Sequence, residues 1–172
     1  MVRESSVRQA YMSACRHRLA ECVKKIKHCL AQLSDEQVWW RPHGSMNSIA
    51  NIVLHLCGNV RQWIISGVGG EPDIRDRPKE FSDRSSLPKA ELIRRLDEIA
   101  AKADAVLAGL TDQELLKRRR IQGFDETALS AIFDSISHFR GHQQEIVYIA
   151  RLQLGDAYRF EWVPASKEQG AP

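Results

Sequence analysis

Apolar side chains recur every three or four residues along four stretches of the chain, a spacing that is typical of amphipathic helices. Polar clusters and glycine or proline residues, which interrupt helices, separate these stretches. No stretch shows the strict alternation of apolar and polar residues that indicates a strand. The pattern predicts four long helices, over about residues 6–33, 45–66, 88–109 and 127–155. We therefore expect an all-α protein built as a four-helix bundle.

Capping residues indicate where some of these helices begin and end. Ser45 and Asn47 are suitable N-caps for the second helix, and Gly67 follows its last apolar position. Thr111 and Glu114 have the spacing of a capping box, in which each side chain binds the other residue's backbone amide. This pair predicts a short additional helix between the third and fourth long helices.

One connection is unusually long for a compact domain. Residues 67–86, GVGGEPDIRDRPKEFSDRSS, are rich in Gly, Pro and charge, and we expect them to lack regular structure. A loop of this length is usually functional or crosses the fold. It can span the roughly 27 Å of an 18-residue helix, so the second and third helices can run parallel. This crossover allows an up-down-down-up helix order.

Length and composition restrict the class of protein. The 172 residues, 43% of them hydrophobic, suit one domain (1–172) with an ordered core of about 6–163 and a flexible tail, 164–172. A net charge of +3 is too small to indicate nucleic acid as a partner. No run of about 20 apolar residues is available to cross a membrane. The polar N-terminal sequence MVRESSVRQA does not resemble a secretory signal, so we expect a cytoplasmic protein.

Three histidines carry the clearest candidate chemistry. His138 and His142 lie four residues apart on the predicted fourth helix, which places both imidazoles on one face. His55 lies in the middle of the second helix, on or beside its apolar stripe. Three imidazoles from two packed helices could hold a divalent metal ion and leave a position open to substrate. Imidazole suits zinc, nickel or iron(II), and the sequence does not choose among them.

Polar neighbours strengthen this hypothesis. Asn51 and Asn59 lie one helical turn on either side of His55, and Asp134 lies one turn before His138. Buried polar groups need hydrogen-bond partners, so these three side chains could orient the imidazoles. Glu145, on the predicted fourth helix, could act as a general acid or base.

Other interpretations of the same residues stay open. A histidine pair with this spacing also occurs by chance on exposed helix faces, and a lone buried histidine is often a hydrogen-bonded core residue. If metal binds, it could serve hydrolysis or transfer, or it could only tie two helices together. His17, His28 and His43 are interpreted as bystanders, and the basic run 117–120 as a solvated connector.

Four cysteines are present without a Cys-x-x-Cys pair, which favours a reduced protein. Cys15, Cys22 and Cys29 recur every seven residues and fall close to one line along the first helix. We interpret this line as packing residues, because cysteine without an activating neighbour is usually buried and inert. The spacing leaves open whether the line faces the core, an interface or the histidines.

Three sequence strings resemble the DinB-like superfamily of metal-binding four-helix bundles. They are SMNSIANIVLHLCGNVRQWI with His55, ISHFRGHQQEIVYIARLQLG with His138 and His142, and the connector SDEQVWWRP. The resemblance covers about residues 33–154 and implies an up-down-down-up bundle, a divalent metal on these three histidines, and a homodimer. Some relatives are S-transferases or isomerases that use a low-molecular-weight thiol such as bacillithiol or mycothiol, so a small-molecule substrate is implied as well.

Overall fold

The computed structural model describes residues 6–163. The tail, 164–172, for which the sequence predicts flexibility, lies outside the described residues. Its helices are Val7–Gln32 (α1), Asp35–Trp39 (α2), Ile49–Val60 (α3), Arg77–Ser82 (α4), Lys89–Gly109 (α5), Asp112–Leu116 (α6) and Ala128–Leu154 (α7). A π-helical segment, Arg61–Val68, continues α3, and a 3-10 turn, Gly155–Ala157, follows α7. Two short strands, Arg118–Ile121 (β1) and Phe124–Thr127 (β2), form a hairpin between α6 and α7.

Four of these helices, α1, α3 with its π segment, α5 and α7, form the predicted all-α bundle. Their apolar faces enclose one continuous core, in which the side chains of Ile26, Leu56, Leu96 and Phe139 are almost completely buried. The capping box at Thr111 forms as predicted and begins α6. The apolar periodicity of the sequence therefore located each long helix correctly to within a few residues.

Contacts between helices give their directions. Arg16 pairs with Asp104 and Lys27 with Asp97, so α1 and α5 are antiparallel. Tyr11 donates a hydrogen bond to the Leu129 carbonyl near the start of α7, whereas the far end of α1 contacts residues just after α7. Helices α1 and α7 are therefore parallel.

Helix α3 runs against α7, because its residues 55 and 59 contact residues 138 and 135, in reverse order. It follows that α3 and α5 are parallel to each other and opposite to α1 and α7. This is the up-down-down-up order, and the long connection between α3 and α5 is its crossover, as predicted.

The start of α3 differs from the prediction. Ser48, rather than Ser45 or Asn47, is the N-cap: its hydroxyl accepts a hydrogen bond from the Asn51 backbone amide, and its own backbone amide donates to Oδ1 of the Asn51 side chain. Because this reciprocal pair satisfies two otherwise unpaired amides, it outcompetes the earlier capping residues. The helix also extends two residues beyond Ser66, within the π segment.

The crossover is more regular than predicted. It contains α4, which begins at the N-cap Asp76 and has Pro78 in its first turn, two features that start helices. Six residues are too few to show an apolar period, so the periodicity of the sequence could not reveal this helix.

The β1–β2 hairpin was not predicted either. Gln122 and Gly123 form its two-residue turn with φ angles of 52° and 88°, the left-handed conformation that tight hairpins require. The strands lack an alternating pattern, since half of their side chains are exposed and only Ile121 is buried. Part of the basic run 117–120, expected to be a connector, is therefore strand β1.

The three cysteines of α1 face the core. Cys15, Cys22 and Cys29 are all buried and unpaired, and burial raises the pKa of each thiol. The Cys29 sulfur lies 3.6 Å from the hydroxyl of Tyr158, which follows α7. They act as packing residues, as interpreted from the sequence, and they face the core, which the seven-residue spacing left open.

The hairpin rests on the π segment through one close approach. A Cβ atom at Gly67 would lie 2.4 Å from Cδ1 of Ile121, a side chain that is almost completely buried. We expect Gly67→Ala to lower the free energy of unfolding by about 1–3 kcal/mol, since overpacking forces neighbouring atoms to shift. Urea unfolding measures this. Gly109→Ala is the control, because nothing lies within 4 Å of an added Cβ there and alanine favours helix; equal effects of the two changes would contradict the prediction.

Candidate metal centre

The structure brings His55, His138 and His142 together at the contact of α3 with α7. One ring nitrogen from each residue lies within 4.8 Å of the other two. His55 Nε2 and His138 Nε2 are 2.9 Å apart, and the three ring centroids are separated by 4.5 to 5.1 Å. The i, i+4 spacing on α7 and the mid-helix position of His55 produce this cluster.

The His55 ring is fixed by a buried carboxylate. Its Nδ1 lies 2.9 Å from Oε2 of Glu80, which belongs to α4 in the crossover. Burial alone would raise the pKa of Glu80, but hydrogen bonds from Arg75 and His55 lower it below its usual value. Because an ionised carboxylate can only accept, His55 donates from Nδ1. Its Nε2 lone pair is thereby directed into the cluster.

Arg75 holds Glu80 in place. Its Nε and Nη2 donate to the two carboxylate oxygens at 2.7 and 2.9 Å, and its Nη1 donates to Gln62 Oε1 on the π segment at 2.9 Å. The Arg75 side chain is 2% exposed and that of Glu80 8%. A bidentate pair of this kind fixes geometry as well as charge.

Glycine at position 58 makes room for this ion pair. Gly58 lies one turn after His55 on α3, and a Cβ there would be 1.9 Å from Glu80 Oε1 and 3.0 Å from Arg75 Nε. Any larger residue would displace the carboxylate from its present position.

His142 and His138 have different surroundings. Nδ1 of His142 lies 2.7 Å from Oε2 of Glu145, one turn further along α7, so this imidazole is also oriented by a carboxylate. Burial, together with the neighbouring imidazoles and two arginines, lowers the pKa of His138 to about 4. His138 is therefore neutral at pH 7, and the protonation state required of a metal ligand is already present.

The other predicted site residues lie near the cluster but have different partners. Asn51 donates from Nδ2 to the carbonyl oxygens of Glu80 and Asp83 at 2.8 and 3.3 Å, so it holds the crossover against α3. Asn59 accepts a hydrogen bond of 2.9 Å from the Ser135 hydroxyl. Within residues 6–163, neither amide bonds a histidine ring.

Asp134 has no hydrogen-bond or ion-pair partner within residues 6–163. It is exposed and lies on the lining of a cavity beside His55 and His138. Its position one turn before His138 was read correctly from the sequence, but the structure gives its carboxylate no imidazole to orient.

Sequence reasoning missed Glu80 and Arg75, which make the closest polar contacts to His55 from outside the cluster. Both lie in the charged crossover, where ten other charged or polar residues give no sign of which will be buried. The only local signal is Asp76 followed by Pro78, a helix start that would have placed Glu80 on a short helix.

Two cavities flank the Arg75–Glu80 pair. One, of about 280 Å³, opens beside His55 and His138, with Trp63 and Ser135 also in its lining. The other, of about 340 Å³, lies between α3, the crossover and α5, on the side of the ion pair away from the histidines. The first cavity gives the cluster a space in which a small molecule could sit.

The three remaining histidines lie elsewhere, as predicted. His17 is exposed on α1, His28 bonds the Arg159 carbonyl at the end of the chain's described part, and His43 bonds Ser45 in an exposed turn.

Comparison with known proteins gives a family and a fold. The sequence profile of a family described as "Protein of unknown function (DUF1572)" matches residues 6–167, nearly the whole chain. No curated protein matches the chain significantly.

Solved structures are similar in fold. A conserved protein from Enterococcus faecalis has a TM-score of 0.75 at 14% identity, over 89% of this chain and 100% of that one. A DinB-like protein from Bacillus cereus has a TM-score of 0.62 at 14% identity, over 77% and 85% of the two chains. A DinB-like protein from Bacillus subtilis has a TM-score of 0.64 at 14% identity, over 86% and 96%. The DinB-like resemblance of the sequence is confirmed at the level of fold.

Among the helices of residues 6–163, none is both long enough and apolar enough to span a membrane.

The close approach at Gly58 can be tested in the protein without added metal. We expect Gly58→Ala to remain folded, because the clashing atoms belong to the flexible ends of Glu80 and Arg75. We also expect the displaced Glu80 carboxylate to lose its hydrogen bond to His55. Long-range ¹⁵N–¹H NMR of the histidine side chains should then show a changed tautomer balance for His55. Gly109→Ala should leave that signal unchanged. A wild-type His55 signal in Gly58→Ala would show that the glycine is not needed for this contact.

Proposed function

We infer that this protein, which belongs to the DUF1572 family and has the fold of DinB-like proteins, holds a divalent metal ion in an enzyme active site. The ligands are His55, His138 and His142. The observation that carries the proposal is the convergence of three imidazoles from two helices, with two of them oriented by carboxylates.

The donor set fits such an ion. Zinc–nitrogen bonds of about 2.0–2.1 Å in a tetrahedron place ligand nitrogens about 3.3 Å apart. The three ring nitrogens, of which the nearest pair is 2.9 Å apart and all lie within 4.8 Å, span that value. Imidazole is a suitable ligand for zinc, nickel and iron(II), so the proposal names a divalent transition metal and not one element.

The residues around the cluster have distinct roles in this proposal. Glu80 and Glu145 hold the Nδ1 protons of His55 and His142, so that each Nε2 keeps its lone pair for the ion. Arg75 keeps Glu80 ionised and in position. The acid or base role of Glu145 stays a prediction, since the carboxylate already bonds His142.

A bound divalent ion supplies Lewis acidity, which makes a thiol or a water molecule nucleophilic near neutral pH. The resemblance to thiol-dependent S-transferases favours a thiol as the nucleophile, which makes the protein a transferase of small molecules. Hydrolysis is the alternative reaction at the same centre. The cavity of about 280 Å³ beside His55 and His138 supports either reaction, because it offers space for a substrate.

Two further predictions belong with this proposal. A cytoplasmic location agrees with the four free cysteines, Cys15, Cys22, Cys29 and Cys57, since oxidising compartments favour disulfides. The homodimer is implied by the resemblance and stays a prediction.

Metal content tests the centre directly. Protein purified without an affinity tag should contain about one divalent ion per chain, measured by mass spectrometry of the metals. The double variant His138→Ala, His142→Ala should lose it, because one remaining imidazole cannot hold the ion. The matched control, His17→Ala with His43→Ala, removes two histidines outside the cluster and should retain it. A metal-free wild type, or equal retention in both double variants, would end the proposal.

A second measurement separates an enzyme from a metal-stabilised structural protein. In cobalt(II)-substituted protein, 2-mercaptoethanol or azide should change the visible spectrum, because an active site keeps a position open to an external ligand. A spectrum that neither compound alters would favour the structural alternative, in which the ion only ties α3 to α7. The His17→Ala variant serves as the control for nonspecific cobalt binding.

A further inference from the structure

The cavity beside the histidines is lined by a hydrogen-bond donor that the protein itself does not use. Asn59 is 8% exposed, and its only hydrogen bond uses the oxygen Oδ1, so its amide nitrogen has no acceptor within residues 6–163. Trp63 also lines the cavity, but its Nε1 is fully enclosed by protein atoms and does not face a ligand there. Buried donors without acceptors are costly, and a ligand with acceptor atoms would relieve that cost.

Two unpaired charges of opposite sign also line this cavity. Arg77 lies with its guanidinium 5.1 Å from the centre of the Phe81 ring and makes no ion pair within residues 6–163. Asp134 likewise has no hydrogen-bond or ion-pair partner in the described part of the chain. Arg75, the remaining charged residue of the lining, is neutralised by Glu80.

The cavity of about 340 Å³ on the other side of the ion pair has more charged residues in its lining. Three of its cationic side chains are already paired with glutamates: Arg61 with Glu71, Arg95 with Glu91, and Lys102 with Glu98. Lys79, Asp76 and Asp83 of that lining make no ion pair within residues 6–163, so unpaired charges occur in both cavities. Of the two cavities, the one of about 280 Å³ lies beside His55 and His138.

We propose that this cavity binds a small zwitterion of the amino-acid type, whose carboxylate is received by Arg77 and whose ammonium group is received by Asp134. The unused amide nitrogen of Asn59 supplies a further hydrogen bond to one of the ligand's oxygens. A volume of about 280 Å³ lies just below the roughly 300–1,000 Å³ of pockets for drug-sized ligands, which suits a molecule of amino-acid size. The proposal rests on the proposed function in one respect, that the ligand's reacting group lies beside the three histidines.

Three probes that share one carbon chain test the charge requirement. L-norleucine carries both groups, hexanoate lacks the amino group and pentylamine lacks the carboxylate. Each is titrated into full-length ¹⁵N-labelled protein, once with its metal and once with a chelator present, and the indole N–H signal of Trp63 reports binding at the cavity. We expect L-norleucine to bind at least tenfold more tightly than either other probe, in both states.

Charge-removing variants assign the two groups. Arg77→Gln should reduce the affinity for L-norleucine to that for pentylamine, and Asp134→Asn should reduce it to that for hexanoate. Both side chains are exposed, so the fold should persist. The controls are Arg140→Gln and Asp156→Asn, which remove the same charges from exposed positions outside the cavity lining.

The outcomes separate this proposal from the metal centre. Equal or undetectable binding of the three probes to wild-type protein would overturn the zwitterion site, whether or not the protein holds metal. Selective binding of L-norleucine to a wild-type protein that contains no metal as purified and takes up none when it is added would support the zwitterion site and overturn the metal centre. Selectivity that survives both Arg77→Gln and Asp134→Asn would overturn the assignment of the charges.

Discussion

The ion pair between Arg75 and Glu80 is the interaction on which the arrangement of the site depends. Removing two charges from water costs several kcal/mol per ion, and only close, bidentate geometry with further hydrogen bonds offsets it. Here both carboxylate oxygens are bonded by Arg75, Oε2 also accepts from His55, and Arg75 reaches Gln62. The pair therefore connects the crossover, α3 and the π segment, and it directs the His55 ring toward α7.

The close packing of Arg75 and Glu80 against α3 requires glycine at position 58. Gly58 lies in the interior of α3, where glycine costs roughly 0.5–1 kcal/mol relative to alanine. The helix accepts that cost because a side chain there would occupy the space of the Glu80 carboxylate. The helix is thus less stable than it would be with alanine at this position, and the Glu80 carboxylate can lie beside His55.

The sequence predicted the features that depend on a repeated apolar spacing or on residues that are close together in the chain. The four long helices have regular apolar stripes, so their positions and the all-α class followed from spacing alone. His138 and His142 could be paired because a helix fixes the distance between positions i and i+4. His55 could be added to this pair because it lies on or beside an apolar stripe, where a buried polar side chain needs a hydrogen-bond partner or a metal ion.

What the sequence did not reveal depends on contacts between distant segments. Glu80 becomes a partner of His55 only when the crossover folds back onto α3, and no feature of its neighbours marks it as buried. Asn51 and Asn59 were recognised as polar groups on a buried face, but their partners are the crossover carbonyls and Ser135, and these are not visible before the helices are packed. The hairpin was missed because its short strands lack an alternating pattern, and the contact of Ile121 with Gly67 joins segments that are distant in the sequence.

Helix order explains why these features meet at one place. Since α3 and α5 are parallel, the chain must return along the whole length of α3 before α5 can begin. It does so in contact with that helix: Ser66 donates to the Pro72 carbonyl, Gln62 bonds Asp73, His55 bonds Glu80, and Asn51 bonds the Asp83 carbonyl. As the residue numbers decrease from Ser66 to Asn51, the numbers of their partners in the crossover increase from Pro72 to Asp83. A tight turn between antiparallel helices could not reach the middle of α3, so the up-down-down-up order is what places a carboxylate behind His55 and forms a wall of the cavity in front of it.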